Sequence, residues 1–140
     1  MAPERREPEI LVLDDDPAMR MTMVGLLDVC GIQVVGASPD GGQGISLARR
    51  VRPDILLMEM PKPPSVGVVV IRELTRLLPA TRVVVCTEDD DARLHDAARD
   101  AGATAVVVKG TPPARLAATV RWAWRQGGDE AGAAGEDGQA

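Results

Sequence analysis

The sequence predicts an α/β fold in which a doubly wound, five-stranded parallel sheet carries helices on both faces. Five short runs rich in valine, isoleucine and leucine alternate along the chain with segments of helical period. Runs that lack polar alternation are typical of strands covered on both faces, as in parallel sheets. Strict alternation of strand and helix also implies right-handed crossover connections, which build a doubly wound sheet.

Each predicted strand is a short apolar run that ends at a polar side chain or a turn. The runs are EILVL at 9–13, IQVVGA at 32–37, DILLM at 54–58, RVVVC at 82–86 and TAVVVK at 104–109. All of them are far shorter than the roughly 18 to 20 apolar residues that a membrane span requires. We therefore expect strands of a buried sheet and no contact with a membrane.

A helical segment follows each predicted strand, and several of these segments carry end signals. The first helix has Asp16 as its N-cap and Pro17 in its first turn, and it ends at Gly31. The other helices are predicted at 42–51, at 68–78, from behind Asp91 to Gly102, and from Pro112 onward. The last helix is expected to bury one apolar stripe, formed by Leu116, Val120, Ala123 and Trp124.

Composition and charge indicate one domain without a nucleic-acid-binding face. The 140 residues carry a formal net charge of −5, and four of the negative charges lie in 127–140. The remainder is near neutral and lacks the concentrated basic face that binds phosphate backbones. No signal peptide is recognisable, so we expect a cytoplasmic protein. The expected organisation is a flexible N-terminus at 1–8, one folded domain at 9–126 and a disordered acidic tail or linker at 127–140.

Polar side chains stand where four of the predicted strands end. Asp14, Asp15 and Asp16 follow strand one, Glu59 follows strand three, Thr87 follows strand four, and Lys109 ends strand five. Because functional groups of doubly wound sheets gather at the carboxyl ends of the strands, we expect these side chains to converge. Carboxylates, a hydroxyl and a lysine form a set suited to phosphoryl transfer with a divalent ion such as Mg²⁺.

The chain resembles the receiver domain of bacterial two-component response regulators over residues 9 to about 126. Four motifs carry the resemblance, namely LVLDDDP, ILLMEMPKPPSVG, VVVCT and GATAVVVKG. The resemblance implies a flavodoxin-like strand order of 2-1-3-4-5 and a signalling domain rather than an enzyme. The run KGTPPARLAATVRWAW is similar to the final helix of the LuxR/NarL-type subgroup, whose members usually continue into a helix-turn-helix DNA-binding domain. We therefore expect a role in signal transduction and transcription regulation, with DNA contacted only through such a further domain.

The resemblance also implies roles for the residues at the strand ends. Asp14 and Asp15 match the acidic pair that holds Mg²⁺, Thr87 matches the switch hydroxyl, and Lys109 matches the lysine that binds phosphate. Glu59 matches the phosphoacceptor, which is an aspartate in the family, and it would complete the metal site.

Glutamate at position 59 changes the chemistry that is expected of this pocket. Its extra methylene moves the carboxylate about 1.3 Å further from the backbone. A misplacement of about 1 Å can cost on the order of 100-fold in rate, and Mg²⁺ tolerates little departure from octahedral geometry. We therefore expect an atypical receiver that functions independently of phosphorylation and binds Mg²⁺ weakly at most.

Two interpretations of Glu59 remain open at this point. Its longer side chain either reaches Lys109 and Thr87 and mimics the phosphorylated state, or it marks a retired pocket with no switching role. The second is favoured, because Val106 stands where the family has its aromatic switch residue and the chain contains neither Phe nor Tyr.

Two other functions are compatible with parts of the sequence. A receiver fold with this pocket would also suit a sensor gated by a small molecule, or a domain with residual Mg²⁺-dependent phosphorylation. A haloacid-dehalogenase-like phosphatase fits less well, because Ala18 occupies the position where that signature has a threonine.

Trp122 is the residue that best suggests a protein interface. On the last helix it points away from the stripe that contains Trp124, and exposed tryptophan is enriched at interface hot spots. We expect a homodimer through helices one and five, as in the resembled subgroup. A histidine kinase or another regulatory protein is the further partner that the resemblance implies.

Overall fold

The computed structural model describes residues 6–39 and 41–132, and within them five strands and five helices alternate strictly. The strands are β1 (Ile10–Leu13), β2 (Val34–Ser38), β3 (Ile55–Glu59), β4 (Arg82–Thr87) and β5 (Ala105–Val108). The helices are α1 (Pro17–Val29), α2 (Gly41–Val51), α3 (Pro64–Leu77), α4 (Ala92–Asp100) and α5 (Pro113–Gly132). Each predicted strand and helix therefore has a counterpart in the structure.

The five strands form one parallel sheet in the order β2-β1-β3-β4-β5, which confirms the predicted fold class. β1 lies between β2 and β3 in the sheet. Leu13 of β1 is paired with Met58 of β3. This register brings the residues that follow β1 next to the last residue of β3. The carboxyl ends of the strands consequently meet at one edge of the sheet.

Apolar side chains of the strands point alternately to two hydrophobic cores, one on each face of the sheet. Ile10 and Val12 pack under α1 and α5, whereas Leu11 and Leu13 pack under α2, α3 and α4. The near-continuous apolar runs of β1, β3 and β4 are explained by this double coverage, whereas the edge strands β2 and β5 remain partly exposed. Burial of a side chain of this size contributes about 1.5–3 kcal/mol relative to its exposure.

Helix starts follow the local signals closely, with one exception. Asp16 caps α1 by accepting a hydrogen bond from the Ala18 N–H at 3.0 Å, and Asp91 accepts one from the Arg93 N–H at 2.9 Å at the start of α4. α3 begins at Pro64 rather than at residue 68. The prolines that suggested a turn are compatible with a first helical turn, where the missing N–H has no partner in any case.

Both ends of the domain differ from the expected boundaries. Residues 6–8 are in contact with the domain, and Pro8 is buried. α5 continues to Gly132, past the boundary expected at 126, so that the glycines at 127 and 128 do not end the helix. The rest of the expected flexible N-terminus, 1–5, and of the expected tail, 133–140, lies outside the described residues.

None of the helices in the described ranges is both long enough and apolar enough to span a membrane.

Candidate functional site

Four of the predicted site residues meet in one cleft at the carboxyl ends of β1, β3 and β5. The cleft has a volume of about 600 Å³, and Asp14, Asp15, Glu59 and Lys109 line it. Asp14 and Glu59 are neighbours because β1 and β3 are paired in register. The backbone N–H of Lys109 donates to the Thr87 carbonyl oxygen at 2.7 Å, and this hydrogen bond holds Lys109 at the same edge of the sheet as Asp14 and Glu59. We refer to this site as the acidic cleft.

The centre of the acidic cleft is an ion pair between Glu59 and Lys109. Lys109 Nζ lies 2.6 Å from Glu59 Oε2, and the two side chains are only 11% and 23% exposed, respectively. Burial acts to raise the pKa of Glu59, but hydrogen bonds with Lys109 and Asp14 outweigh it, and the pKa lies below its ordinary value. Burial acts to lower the pKa of Lys109, yet its hydrogen bond to Glu59 leaves that pKa raised. Both groups are therefore held in their charged forms.

Asp14 is the buried acid of the cleft. Burial, followed by the hydrogen bond with Glu59, raises its pKa to about 6, although the hydrogen bond from the Asp16 N–H acts in the opposite direction. That N–H donates to Asp14 Oδ1 at 2.9 Å. Asp14 therefore holds a proton up to a higher pH than an exposed aspartate.

The donor set of the cleft fits a divalent cation in kind. Asp14, Asp15 and Glu59 each offer a carboxylate oxygen, and these oxygens lie within 4.8 Å of one another. Hard oxygen donors of this type are what Mg²⁺ takes from proteins. A bound Mg²⁺ would supply positive charge against the carboxylates and against the oxygens of a phosphoryl group. The ammonium group of Lys109 already neutralises Glu59, so it competes with a metal ion for this ligand.

Thr87 lies at the end of β4, and its hydroxyl is hydrogen-bonded to the chain just after this strand. In β4, Val84 and Cys86 face the α1 and α5 side, while Val83 and Val85 face the other side of the sheet. Thr87 continues the second row, since side chains alternate along a strand. Its hydroxyl accepts a hydrogen bond from the Asp89 N–H at 3.1 Å.

Val106 lies on the same side of the sheet as Thr87. It is half-buried and packs against the core under α2, α3 and α4. The position expected for an aromatic switch therefore carries a short side chain near the surface of β5.

Trp122 is exposed, and it borders β5 and α4 rather than α1. Its side chain is 46% exposed. A shallow recess at the outer edge of β5, which we call the β5-edge recess, is lined by Arg99, Thr104, Ala105, Val106, Ala118, Thr119 and Trp122. Arg121 is the α5 residue on the α1 side, where its Nη2 donates to the Cys30 carbonyl oxygen at 2.9 Å. The two halves of the expected interface thus lie on different sides of α5.

Sequence reasoning missed two basic residues at the acidic cleft. Arg20 Nη1 donates to the Asp14 carbonyl oxygen at 2.7 Å and so holds the backbone from which the buried acid projects. Lys62 lines the cleft and lies 3.9 Å from Glu88 across its mouth. Lys62 could have been predicted from the sequence, because it follows Glu59 by three residues in a proline-rich turn. Arg20 could not, because its contact depends on the angle between α1 and β1.

Comparison with known proteins identifies the family. The model of the response regulator receiver domain matches residues 10–121. The chain is 27% identical to the chemotaxis protein CheY of Thermotoga maritima over 107 residues, which are 76% of this chain and 89% of that protein. It is 32% identical to the response regulator GacA of Pseudomonas aeruginosa over 114 residues, which are 81% of this chain and 53% of GacA. The chain therefore spans about half the length of GacA.

Solved structures share the fold. The signal receiver domain of the response regulator NarL from Mycobacterium tuberculosis superposes with a TM-score of 0.77 at 24% identity, covering 86% of this chain and 98% of that one. A two-component response regulator of the LuxR family from Aurantimonas sp. SI85-9A1 gives a TM-score of 0.78 at 26% identity, covering 86% and 87% of the two chains. Strand order, the acidic cleft at the strand ends and the match over 10–121 agree, and the chain belongs to the response regulator receiver domain family.

Proposed function

We propose that this chain is an atypical receiver domain that signals through protein contacts and does not depend on phosphorylation. The observation that carries the proposal is the 2.6 Å ion pair between Glu59 Oε2 and Lys109 Nζ. A lysine in this position would otherwise be available to the oxygens of an incoming phosphoryl group. Here it is already neutralised by the residue that stands at the acceptor position.

The electrostatics of the cleft support the same conclusion. With the Lys109 charge compensated by Glu59 and Glu88 lying 3.9 Å from Lys62, the charge of Asp15 opposes the approach of an anionic phosphodonor. The glutamate oxygen also lies on the order of 1 Å beyond the place of an aspartate oxygen, which disfavours in-line attack. Slow or absent phosphorylation follows from both effects. We expect Mg²⁺ binding to be weak for the related reason that Lys109 competes for Glu59.

Of the two interpretations of Glu59, the contacts favour a retired pocket. A mimic of the phosphorylated state would have the Glu59 carboxylate bound by both Lys109 and the Thr87 hydroxyl. Among the described residues, the Thr87 hydroxyl accepts from the Asp89 N–H and has no hydrogen bond with Glu59, whose Oε2 is bound by Lys109. The short side chain of Val106 is a second reason, because it offers no aromatic group to report a change in the cleft.

We further propose that the domain belongs to the LuxR/NarL-type subgroup and acts in transcription regulation. The likeness to the Aurantimonas LuxR-family regulator at 26% identity supports this assignment, as does the match to about half of GacA. DNA would be contacted by an additional helix-turn-helix domain, and the signal would come from a histidine kinase or another regulatory protein. Self-association through α1 and α5 completes the proposal, and Trp122, which lies on the β5 side of α5, would take part only in an interface that also covers that side.

Acetyl phosphate labelling tests the central claim. The natural protein is expected to take up no label in the presence of Mg²⁺, and Glu59→Asp is expected to gain it, because the shorter side chain restores the attacking oxygen and frees Lys109. Glu59→Gln is the matched control, since it keeps the length of glutamate but cannot act as the nucleophile. Labelling of the natural protein at the rate of Glu59→Asp would overturn the proposal. Turnover of a generic phosphomonoester would instead indicate a phosphatase.

A further inference from the structure

We propose that residues 6–8 form a clasp that holds the middle of α5 against the domain and so suppresses local opening of this helix. This N-terminal clasp lies at the amino ends of β1 and β3, at the opposite end of the sheet from the acidic cleft. It is independent of the proposed function, because none of its contacts involves a cleft residue.

Arg6 makes the central contacts of the clasp. Its Nη1 and Nη2 donate to Asp54 Oδ2 and Oδ1 at 2.8 and 3.1 Å, which is a two-pronged pairing with one carboxylate. The same guanidinium group lies over the indole of Trp124, with Cζ 4.8 Å from the ring centroid. Arginine suits both tasks, because a planar guanidinium can pair with a carboxylate along its edge and stack on an aromatic ring with its face.

Asp54 is a fixed anchor for this arginine. Its Oδ2 also accepts a hydrogen bond from the Glu9 N–H at 2.8 Å, just before β1 begins. The Asp54 N–H in turn donates to the Glu9 carbonyl oxygen at 2.9 Å. The carboxylate is therefore already oriented by the sheet, and Arg6 loses less freedom in binding it than it would in binding a mobile side chain.

Glu7 supplies a second contact to α5. Its Oε1 lies 2.9 Å from Arg121 Nε, and Arg121 Nη2 donates to the carbonyl oxygen of Cys30, the C-cap residue of α1. Arg121 and Trp124 are three residues apart, so they lie on neighbouring parts of one helix face. Pro8 between the clasp and β1 is buried, which holds the segment against the domain.

The arrangement joins parts of the chain that are remote in sequence. The pairs Arg6 with Asp54 and Glu7 with Arg121 are separated by 48 and 114 residues, respectively. Local conformational preference cannot produce such contacts. α5 continues beyond Trp124 to Gly132, so the clasp holds this helix near its middle. Because its ion pairs are partly exposed, the clasp should loosen as salt rises.

Tryptophan fluorescence of the full chain tests the proposal. The chain has two tryptophans and no tyrosine, so Trp122→Phe leaves Trp124 as the only reporter. In that background, Arg6→Ala should increase quenching of Trp124 by acrylamide and shift its emission to the red. Backbone hydrogen exchange at 121–126 should become roughly two- to five-fold faster, as expected for the loss of an exposed cation–π contact. Exchange in the five strands should not change.

Controls separate the clasp from a general loss of stability. Arg125→Ala removes an exposed arginine from the same helix and should leave quenching and exchange unchanged. Arg6→Lys keeps the charge but loses the paired donors and the stacking plane, so an intermediate effect is expected. Glu7→Arg combined with Arg121→Glu should restore part of the protection that either change alone removes, because the ion pair can re-form whereas the hydrogen bond from Arg121 to the Cys30 carbonyl oxygen cannot. Unchanged quenching and exchange in Arg6→Ala, in a protein with intact strand protection, would overturn the proposal.

Discussion

At the scale of single residues, the acidic cleft is governed by the competition between burial and hydrogen bonding. Lys109 compensates the charge of Glu59 directly, whereas the carboxyl group of Asp14 is buried beside the charged Glu59 and, among the described residues, accepts a hydrogen bond only from the Asp16 N–H. The opposite pKa shifts of the two carboxyl groups follow from this difference. Of these two carboxyl groups, Asp14 is therefore the one whose ionisation is unfavourable in the folded protein.

Asp14→Asn should stabilise the protein at neutral pH. The pKa of Asp14 is about 6 in the folded protein against an ordinary value of 3.8, so folding takes up a proton between these values. The free energy of unfolding contributed by Asp14 therefore falls as pH rises from about 4 to about 6. Asparagine cannot ionise and still accepts the hydrogen bond from Asp16, so the variant should gain about 1–3 kcal/mol above pH 6.

Urea denaturation at a series of pH values between 4 and 8 measures this effect, with Asp15→Asn as the control. Asp15 is exposed, so its replacement removes a carboxylate from the same cleft without removing the buried acid. Parallel curves for Asp14→Asn and the natural protein would contradict the assignment of the buried acid. Glu59 contributes stability in the opposite direction, lost as pH falls through its lowered pKa. The part of this contribution that comes from Lys109 is common to both proteins, whereas the part that comes from the hydrogen bond with Asp14 changes in the variant.

At the scale of the elements, short-range sequence signals predicted which helices and strands exist, but they predicted the first and last residues of these elements less well. The N-cap Asp16 was correctly identified, and so was the start of α4 after Asp91, because a side chain that accepts from N–H groups two or three residues ahead needs only local sequence. The start of α3 was wrong by about a turn, since a proline pair is compatible with either a turn or a helix start. Packing against Met60 decides between them, because Gly67 lies directly against that side chain.

Two glycines in and after helices should respond oppositely to the change to alanine. Gly102 follows α4 with a φ of +124°, and a Cβ there would lie 2.6 Å from Thr75 Cγ2. Gly102→Ala should therefore destabilise the protein by more than about 1 kcal/mol. Gly25 lies within α1, and a Cβ there meets no atom within 4 Å. Gly25→Ala should stabilise the protein by about 0.5–1 kcal/mol, because alanine loses less backbone freedom in a helix.

Thermal and urea unfolding of both variants check these expectations, and each variant is the control for the other. A stabilising Gly102→Ala would mean that the chain after α4 relaxes out of its left-handed conformation. A destabilising Gly25→Ala would point to a partner surface that approaches α1 at that position.

At the scale of the whole molecule, the exposed apolar side chains are concentrated on helices rather than on loops. Val29 at the end of α1 is 83% exposed and Trp122 on α5 is 46% exposed. Val29 precedes Cys30, whose carbonyl oxygen accepts from Arg121 of α5, and Trp122 lines the β5-edge recess. A dimer interface that includes both Val29 and Trp122 must cover two sides of α5. An interface on one side leaves the other of these two side chains exposed.

Trp122→Ala should leave the fold intact but weaken self-association. The side chain contributes little to the core, and truncation of an interface tryptophan typically costs about 2 kcal/mol or more, which is more than tenfold in Kd. Light scattering over a concentration series measures the change, with circular dichroism to confirm the fold. Val29→Asp tests by the same measurement whether α1 takes part in self-association. An unchanged mass for Trp122→Ala would exclude Trp122 from any interface, and an unchanged mass for Val29→Asp would exclude α1.

What the sequence determined by itself is the order of strands and helices, the class of fold and the set of side chains at the strand ends. These follow from hydrophobic period, capping residues and the meeting of parallel strand ends, all of which are readable within a few residues of chain. Only the tertiary structure decided that Glu59 is bound by Lys109, that the Thr87 hydroxyl belongs to a turn, and that Arg6 covers Trp124. Such contacts depend on strand register, on side-chain rotamers and on helix angles, which are set by the packing of segments far apart in sequence.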